Sequence, residues 1–199
     1  MKTIEVKGTL RADLGKKATR ELRKNNGVPC VLYGVKKDEN GLPVATHFQV
    51  TTDALRNLVY TPHIYIVKLN IDGQEVNAIM KDIQFHPVKD TILHVDFLQI
   101  EEEKPIEMLV PVQLEGLAEG VRAGGKLALQ MRKLKVKANY NLIPERLVIN
   151  VSHLALGKTI KVGELNFEGL HIMNAKEAVV CAVQLTRAAR GAQAAAENK

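Results

Sequence analysis

The chain has no tryptophan, only 4% aromatic residues and two cysteines among 199 residues. With 46% of residues hydrophobic, a core can be built, but it must consist mainly of valine, leucine and isoleucine. Cys30 and Cys181 are far apart in the chain, lie among apolar neighbours and have no CxxC or His/Cys companions. They read as buried thiols in a reducing compartment rather than as a disulfide or a zinc site. The N-terminus MKTIEVKGTL lacks an apolar run of signal-peptide length, and no later run reaches the roughly 20 residues that cross a bilayer. The expectation is a cytoplasmic protein with no membrane partner. Also missing are HExxH, a P-loop and a nucleophile elbow, and Gly120, Gly124 and Gly125 lack the spacing and setting of a dinucleotide fingerprint.

What is present is basic charge, unevenly placed. The formal charge is +6. Residues 1–95 carry 14 Lys/Arg against 10 Asp/Glu, residues 96–185 carry 11 against 11, and the last fourteen carry 3 against 1. Residues 11–24 alone hold six positive and two negative side chains. A single-sign patch of this density attracts a polyanion such as nucleic acid.

That patch lies in RADLGKKATRELRKNNGVPCVLYG, residues 11–34, which reads as a helix followed by a strand. Leu14, Ala18 and Leu22 recur every four residues and share one face, while Lys16, Lys17, Arg20, Arg23 and Lys24 occupy the others. Asp13 is the candidate N-cap, and Asn26-Gly27 with Pro29 is the stop. CVLYG then reads as a strand ending at Gly34, and KKDENG as a polar turn. Further strands are expected in VATHFQV, on both sides of Asp72-Gly73 and in TILHVDFLQI, with a second short helix capped by Thr51 or Thr52. This is a small mixed domain of mainly antiparallel strands with two helices.

The composition changes at Glu101-Glu102-Glu103-Lys104-Pro105, and the domain boundary is placed near 97–105. The expected division is a basic domain at 1–97, a neutral second domain at 98–185 that is almost entirely β, and a flexible Ala-rich tail at 186–199. The fold class is therefore mainly β.

The polar stretch KDIQFHPVKDTILHVDF offers Lys81, Asp82, Gln84, His86, His94 and Asp96, and His94 and Asp96 share one face of a strand. Three readings stand: a metal site or His-Asp pair of a hydrolase that also uses His86, ordinary structural polar residues, or a surface that contacts nucleic acid. The last uses histidine as stacker or donor, glutamine for a base edge or ribose, aspartate for an amino group and lysine for phosphate. Arg11, Lys16, Lys17, Arg20 and Arg23 supply the matching charge, although a solvated helix face is the bland alternative and Glu21 interrupts the patch. Tyr33 reads equally as a surface ring or a core residue. No helix-turn-helix, zinc finger, basic zipper, RNP or KH pattern is present, so the residues themselves lead to a basic mixed domain that touches structured RNA.

RADLGKKATRELRKNNGVPCVLYG and KDIQFHPVKDTILHVDF together resemble the family of bacterial large-subunit ribosomal protein number twenty-five, in its long two-domain form, also called the CTC or general-stress family. The likeness continues through VPVQLEGLAEGVRAGG and IPERLVINVSHLALGKTIKVGEL. The resemblance implies a small N-terminal β-barrel with helices and a largely β second domain. It also implies binding to 5S ribosomal RNA in the central protuberance of the large subunit. By motif, the RNA-facing positions fall on Arg11, Lys16, Arg20, Arg23, Tyr33, Gly34, Gln84, His86, His94 and Asp96. Lys17 and Lys81 join them on charge. Thr19-Arg20-Glu21 interrupts a helix that is more continuously basic in many relatives, and Cys30 replaces a commonly small residue.

The implied role is structural: no reaction, no cofactor, no metal and a monomer before assembly. The neutral second domain has no matching electrostatic footprint, so it is expected to meet a neighbouring ribosomal protein or to sit peripherally. A stress-related RNA-binding factor loosely held by ribosomes is the other binding hypothesis.

Overall fold

A computed structural model describes residues 2–35, 41, 44–101 and 104–187. Most of the polar turn expected at 36–41 and of the tail expected at 186–199 lies outside the described residues. The described chain divides into two compact units. The first runs to Ile106 and also counts Asn139–Asn141; the second takes in Glu107–Ala138 and residues from Leu142 on.

The first unit contains β1 (Lys2–Leu10), α1 (Lys16–Lys24), β2 (Gly27–Tyr33), β3 (Thr46–Thr51), α2 (Thr52–Val59), β4 (Tyr65–Ile71), β5 (Gln74–Phe85) and β6 (Ile92–Gln99). The six strands close into a barrel in the order β1-β3-β2-β6-β5-β4. Two neighbouring pairs, β1/β4 and β2/β6, are parallel; the rest are antiparallel. β1 makes closure possible because it serves two partners. Lys2 to Gly8 pair with β4, after which Thr9 and Leu10 pair with β3. The change falls at Gly8, where a Cβ would sit 2.7 Å from the Phe48 ring. Asp72 and Gly73, both at positive φ, form the two-residue β4–β5 turn that the sequence marks as a hairpin.

Alternation along the strands fills the barrel. Val28, Cys30 and Leu32 of β2, Phe48 and Val50 of β3, Val67 and Leu69 of β4, and Val95 and Phe97 of β6 are buried. With so few aromatic rings in the chain, Phe48 and Phe97 meet at the centre with centroids 5.8 Å apart. Leu55 and Leu58 of α2 join the same cluster.

Both helices differ locally from expectation. α1 starts at Lys16 behind Gly15 (φ 138), so Asp13 is not its N-cap, and Leu14 lies before the helix and is 57% exposed. Thr51 holds the cap position of α2 without a capping bond, and the Thr52 hydroxyl donates instead to the Asn26 carbonyl at 3.0 Å.

The second unit contains β7 (Ile106–Glu115), α3 (Glu119–Arg122), β8 (Lys126–Leu129), β9 (Lys133–Ala138), β10 (Leu147–Asn150), β11 (Thr159–Lys161), β12 (His171–Ile172) and β13 (Val179–Gln184). They form an open four-stranded sheet, β10-β7-β9-β12, and an open three-stranded sheet, β11-β13-β8. The segment KLALQMRKLKVKAN, residues 126–139, holds two strands separated at Gln130–Arg132. The Gln130 and Met131 amides both donate to the Val180 carbonyl, and β8 and β9 enter different sheets. Leu134, Val136, Val110, Leu147 and Ile149 point inward, and Val180, Cys181 and Val183 are buried in the other sheet.

Because Phe97 is fully buried in the barrel, Phe97→Ala should remove about 3–5 kcal/mol from the first unit. In urea unfolding of the full chain the barrel transition should move to lower denaturant while the transition of the second unit stays in place. A common shift of both would show that the two units unfold together.

Candidate nucleic-acid interface

β6 lies between β2 and β5, and its alternation sends Val95 and Phe97 inward and His94 and Asp96 outward. Register then decides what surrounds the outward pair. Gln84 of β5 is opposite His94, Asp82 is opposite Asp96, and Val31 of β2 flanks Asp96 on the other side. His94 Nδ1 is 2.7 Å from Asp96 Oδ1, with the two side chains 25% and 33% exposed. The pair is thus half-sheltered and its rings and oxygens remain reachable. A proton on Nδ1 donated to Asp96 leaves Nε2 as the outward acceptor.

A bulge at Lys81 resets β5 so that Asp82 and Gln84 fall in line with Asp96 and His94. Lys81 is exposed at that bulge. Asp82 was visible in the sequence, and its two-residue spacing from Gln84 is the signal that could have placed it on this face. Directly opposed carboxylates are unfavourable in an isolated sheet. Asp82 Oδ1 accepts a 2.8 Å hydrogen bond from the Ile83 amide, which offsets part of that cost.

Tyr33 ends β2 beside Leu98 of β6, half-exposed. Burial raises its phenol above the usual value, and the negative charges of Asp96 and Asp82 raise it further. It therefore stays a hydroxyl donor within electrostatic reach of both carboxylates. Gly34 (φ 135) follows, where a Cβ would lie 3.2 Å from the Gln99 carbonyl oxygen.

α1 borders this face. None of its residues is buried, so packing alone holds it weakly. Arg23 supplies the link: its Nε and Nη2 donate to the Leu93 carbonyl at 3.0 and 2.9 Å, one residue before His94. Arg11 secures the entry to the helix, donating through Nη2 to the Asp13 carbonyl at 3.1 Å and to Thr19 Oγ1 at 3.3 Å. Leu22 closes the other end against Gly27, where any Cβ would overlap it. Lys16, Lys17 and Arg20 remain exposed.

The structure therefore gathers Gln84, His94, Asp96 and Tyr33 with the added Asp82, and sets α1 beside them. His86 is not part of that group. It sits in the turn after β5, where its Nδ1 accepts from the Val88 and Lys89 amides at 3.2 Å each. Among the described residues no three His, Cys, Asp or Glu side chains are grouped to hold a metal.

Two family models match the chain, the Ribosomal L25p family over residues 6–97 and the Ribosomal protein TL5, C-terminal domain, over residues 105–187. The chain is also 80% identical over 196 residues to the large ribosomal subunit protein bL25 of Phocaeicola vulgatus, covering 98% of this chain and 99% of that protein. The chain belongs to the Ribosomal L25p family. Other relatives are the large ribosomal subunit proteins bL25 of Bacteroides fragilis, 70% identical over 201 residues, and of Parabacteroides distasonis, 60% identical over 199 residues. Each alignment covers 98% of this chain and 99% of the relative. The L25p match spans all the residues of the interface described above.

Two outcomes follow from this geometry. Arg23→Lys keeps the charge but cannot repeat the paired donation to one carbonyl. Amide hydrogen exchange across α1 should speed up at least several-fold while the barrel strands keep their protection; unchanged exchange would mean that the Leu93 contact does not hold the helix. Separately, burial, with Asp96 adding to it and Arg11 opposing it, pushes the Cys30 thiol from 9.0 up to about 12. The unfolded thiol ionises first, so the barrel keeps this contribution below about pH 9 and loses about 1.4 kcal/mol per pH unit from there toward pH 12. Urea midpoints at pH 8 and 10.5 should diverge more for the parent than for Cys30→Ala, whose lower starting stability does not affect the comparison.

Proposed function

We propose that this chain is a structural constituent of the large ribosomal subunit that binds 5S ribosomal RNA in the central protuberance through α1 and the outer face of β2, β6 and β5. The observation that carries the reading is the Arg23–Leu93 link, which sets a row of exposed cations beside the His94–Asp96 pair. The family membership and the names of the relatives support the ribosomal part of it.

The two parts of the face do different work. Lys16, Lys17 and Arg20 provide positive charge for phosphates. Arg11, through Nη2, and Arg23, through Nε and Nη2, also hold the helix by donating to protein acceptors. The centre of the face is acidic. Asp82 and Asp96 repel phosphate and suit groups that donate, namely exocyclic base amines and ribose 2′-hydroxyls. Gln84 and His94 Nε2 add an amide and an acceptor, and the Tyr33 hydroxyl adds a donor. A row of cations beside an acidic centre rewards an RNA whose irregular groove presents amino and hydroxyl groups there, and penalises generic duplex. His86 shapes the turn after β5, and Gly34 lets the backbone pass close to β6. The role is structural and no reaction is assigned.

Binding of the full chain to 5S ribosomal RNA and to an unrelated structured RNA across a salt series tests this reading. The parent should prefer 5S RNA strongly at physiological salt. Asp96→Asn should cost roughly tenfold or more on 5S RNA, in the range of a lost base-edge contact, with little effect on the unrelated RNA. Replacing Lys16, Lys17 and Arg20 together by Gln should lower the salt slope by about 2 to 3 on both RNAs. Equal, weak binding of the parent to both RNAs would sink the assignment and favour a factor loosely held by ribosomes.

A further inference from the structure

The second unit is not neutral. The 11-to-11 balance of residues 96–185 includes Asp96 and the acidic segment Glu101-Glu102-Glu103, all of which precede Glu107. Without those four acids and Lys104, residues 107–185 carry ten Lys/Arg against seven Asp/Glu, and Arg187 makes eleven. The excess has a defined place. β9 is a central strand, flanked by β7 and β12, and its alternation buries Leu134, Val136 and Ala138 while exposing Lys133, Lys135 and Lys137. Its backbone is tied on both sides: the Val112 amide donates to the Arg132 carbonyl, the Met173 amide donates to the Lys135 carbonyl, and the Lys135 amide donates to Asn174 Oδ1.

We infer that the outward face of β9 is a second RNA-backbone contact, in which Lys133, Lys135 and Lys137 grip successive phosphates of one ribosomal RNA strand. The inference rests on the ribosomal reading above and extends it to the other unit. Alternate residues of a strand are about 6.6 Å apart, a repeat commensurate with the spacing of consecutive phosphates. Charge complementarity points to RNA as the occupant. Among the described residues Lys133 and Lys137 have no ion-pair partner, and Lys135 has one, Glu107 of β7 at 2.9 Å. His171 stands opposite Lys137 on β12 and adds a further polar group at that edge. Of the seven acids, Glu107 and Glu115 stand on β7 of this sheet, Glu115 at its last residue, and Glu119, Glu145, Glu164, Glu168 and Glu177 lie in α3, turns and loops. A face made for an apolar protein partner would carry a hydrophobic centre. Here the central strand exposes only lysines, and the exposed apolar side chains Leu109 and Val148 stand on β7 and β10.

The test uses the full chain, large subunits depleted of it, and two variants of equal charge. One replaces Lys133, Lys135 and Lys137 by Gln; the control replaces Lys126, Lys158 and Lys176, all exposed and off this face. The β9 variant should bind depleted subunits tenfold or more weakly at physiological salt, with the slope of log affinity against log salt reduced by about 2 to 3, while the control matches the parent. Circular dichroism and the urea midpoint of the second unit should be the same for all three chains, since the replaced side chains point to solvent. Parent-like affinity and slope for the β9 variant would overturn the inference, and so would weaker binding at an unchanged slope, which would assign the face to a protein partner. Selectivity for 5S RNA is read in the separate assay, so a failure there strikes the ribosomal 5S reading and not this one.

Discussion

The two-residue period of β6 is the constraint on which the first unit depends. One strand supplies Val95 and Phe97 to the centre of the barrel and His94 and Asp96 to its outer face, and it hydrogen-bonds to β2 on one side and β5 on the other. A slip of one residue would exchange these roles and bury a polar pair in an apolar core. The stability of the barrel and the composition of the candidate interface are thus set by the same register. The bulge at Lys81 is the local adjustment that lets β5 follow this register and still bring Asp82 and Gln84 into line.

The helix obeys a different physics. α1 buries nothing fully, so its place beside β6 is maintained by directed hydrogen bonds from Arg23 and Arg11 and by Leu22 closing on Gly27. Two of the arginines that look like phosphate ligands in the sequence therefore commit part of their donor set to the protein, Arg11 through Nη2 and Arg23 through Nε and Nη2. The arrangement leaves Lys16, Lys17 and Arg20 free to face a partner from a fixed position. Preorganised charges lose less freedom on binding than charges on a loose segment.

In the second unit, β9 leaves one face to solvent, and its sequence uses that face for lysines. The acids of residues 96–103, which belong to the first unit, offset this basic charge along the sequence.

Composition and alternation by themselves determined a mainly β protein with an aliphatic core, the Asp72-Gly73 hairpin, a short basic helix ended at Asn26-Gly27, and the shared face of His94 and Asp96. These are local properties, written in spacings of two and four residues. Which strands become neighbours, the parallel pairing of β1 with β4 and β2 with β6, and the closure at Gly8 were decided only by the tertiary structure. So were the opposition of Asp82 and Asp96, the retreat of His86 into its turn, and the use of Arg23 on a carbonyl 70 residues away. Each of these depends on pairing between distant segments, and the periodicity of a strand states which side it buries but not which strand it will lie beside.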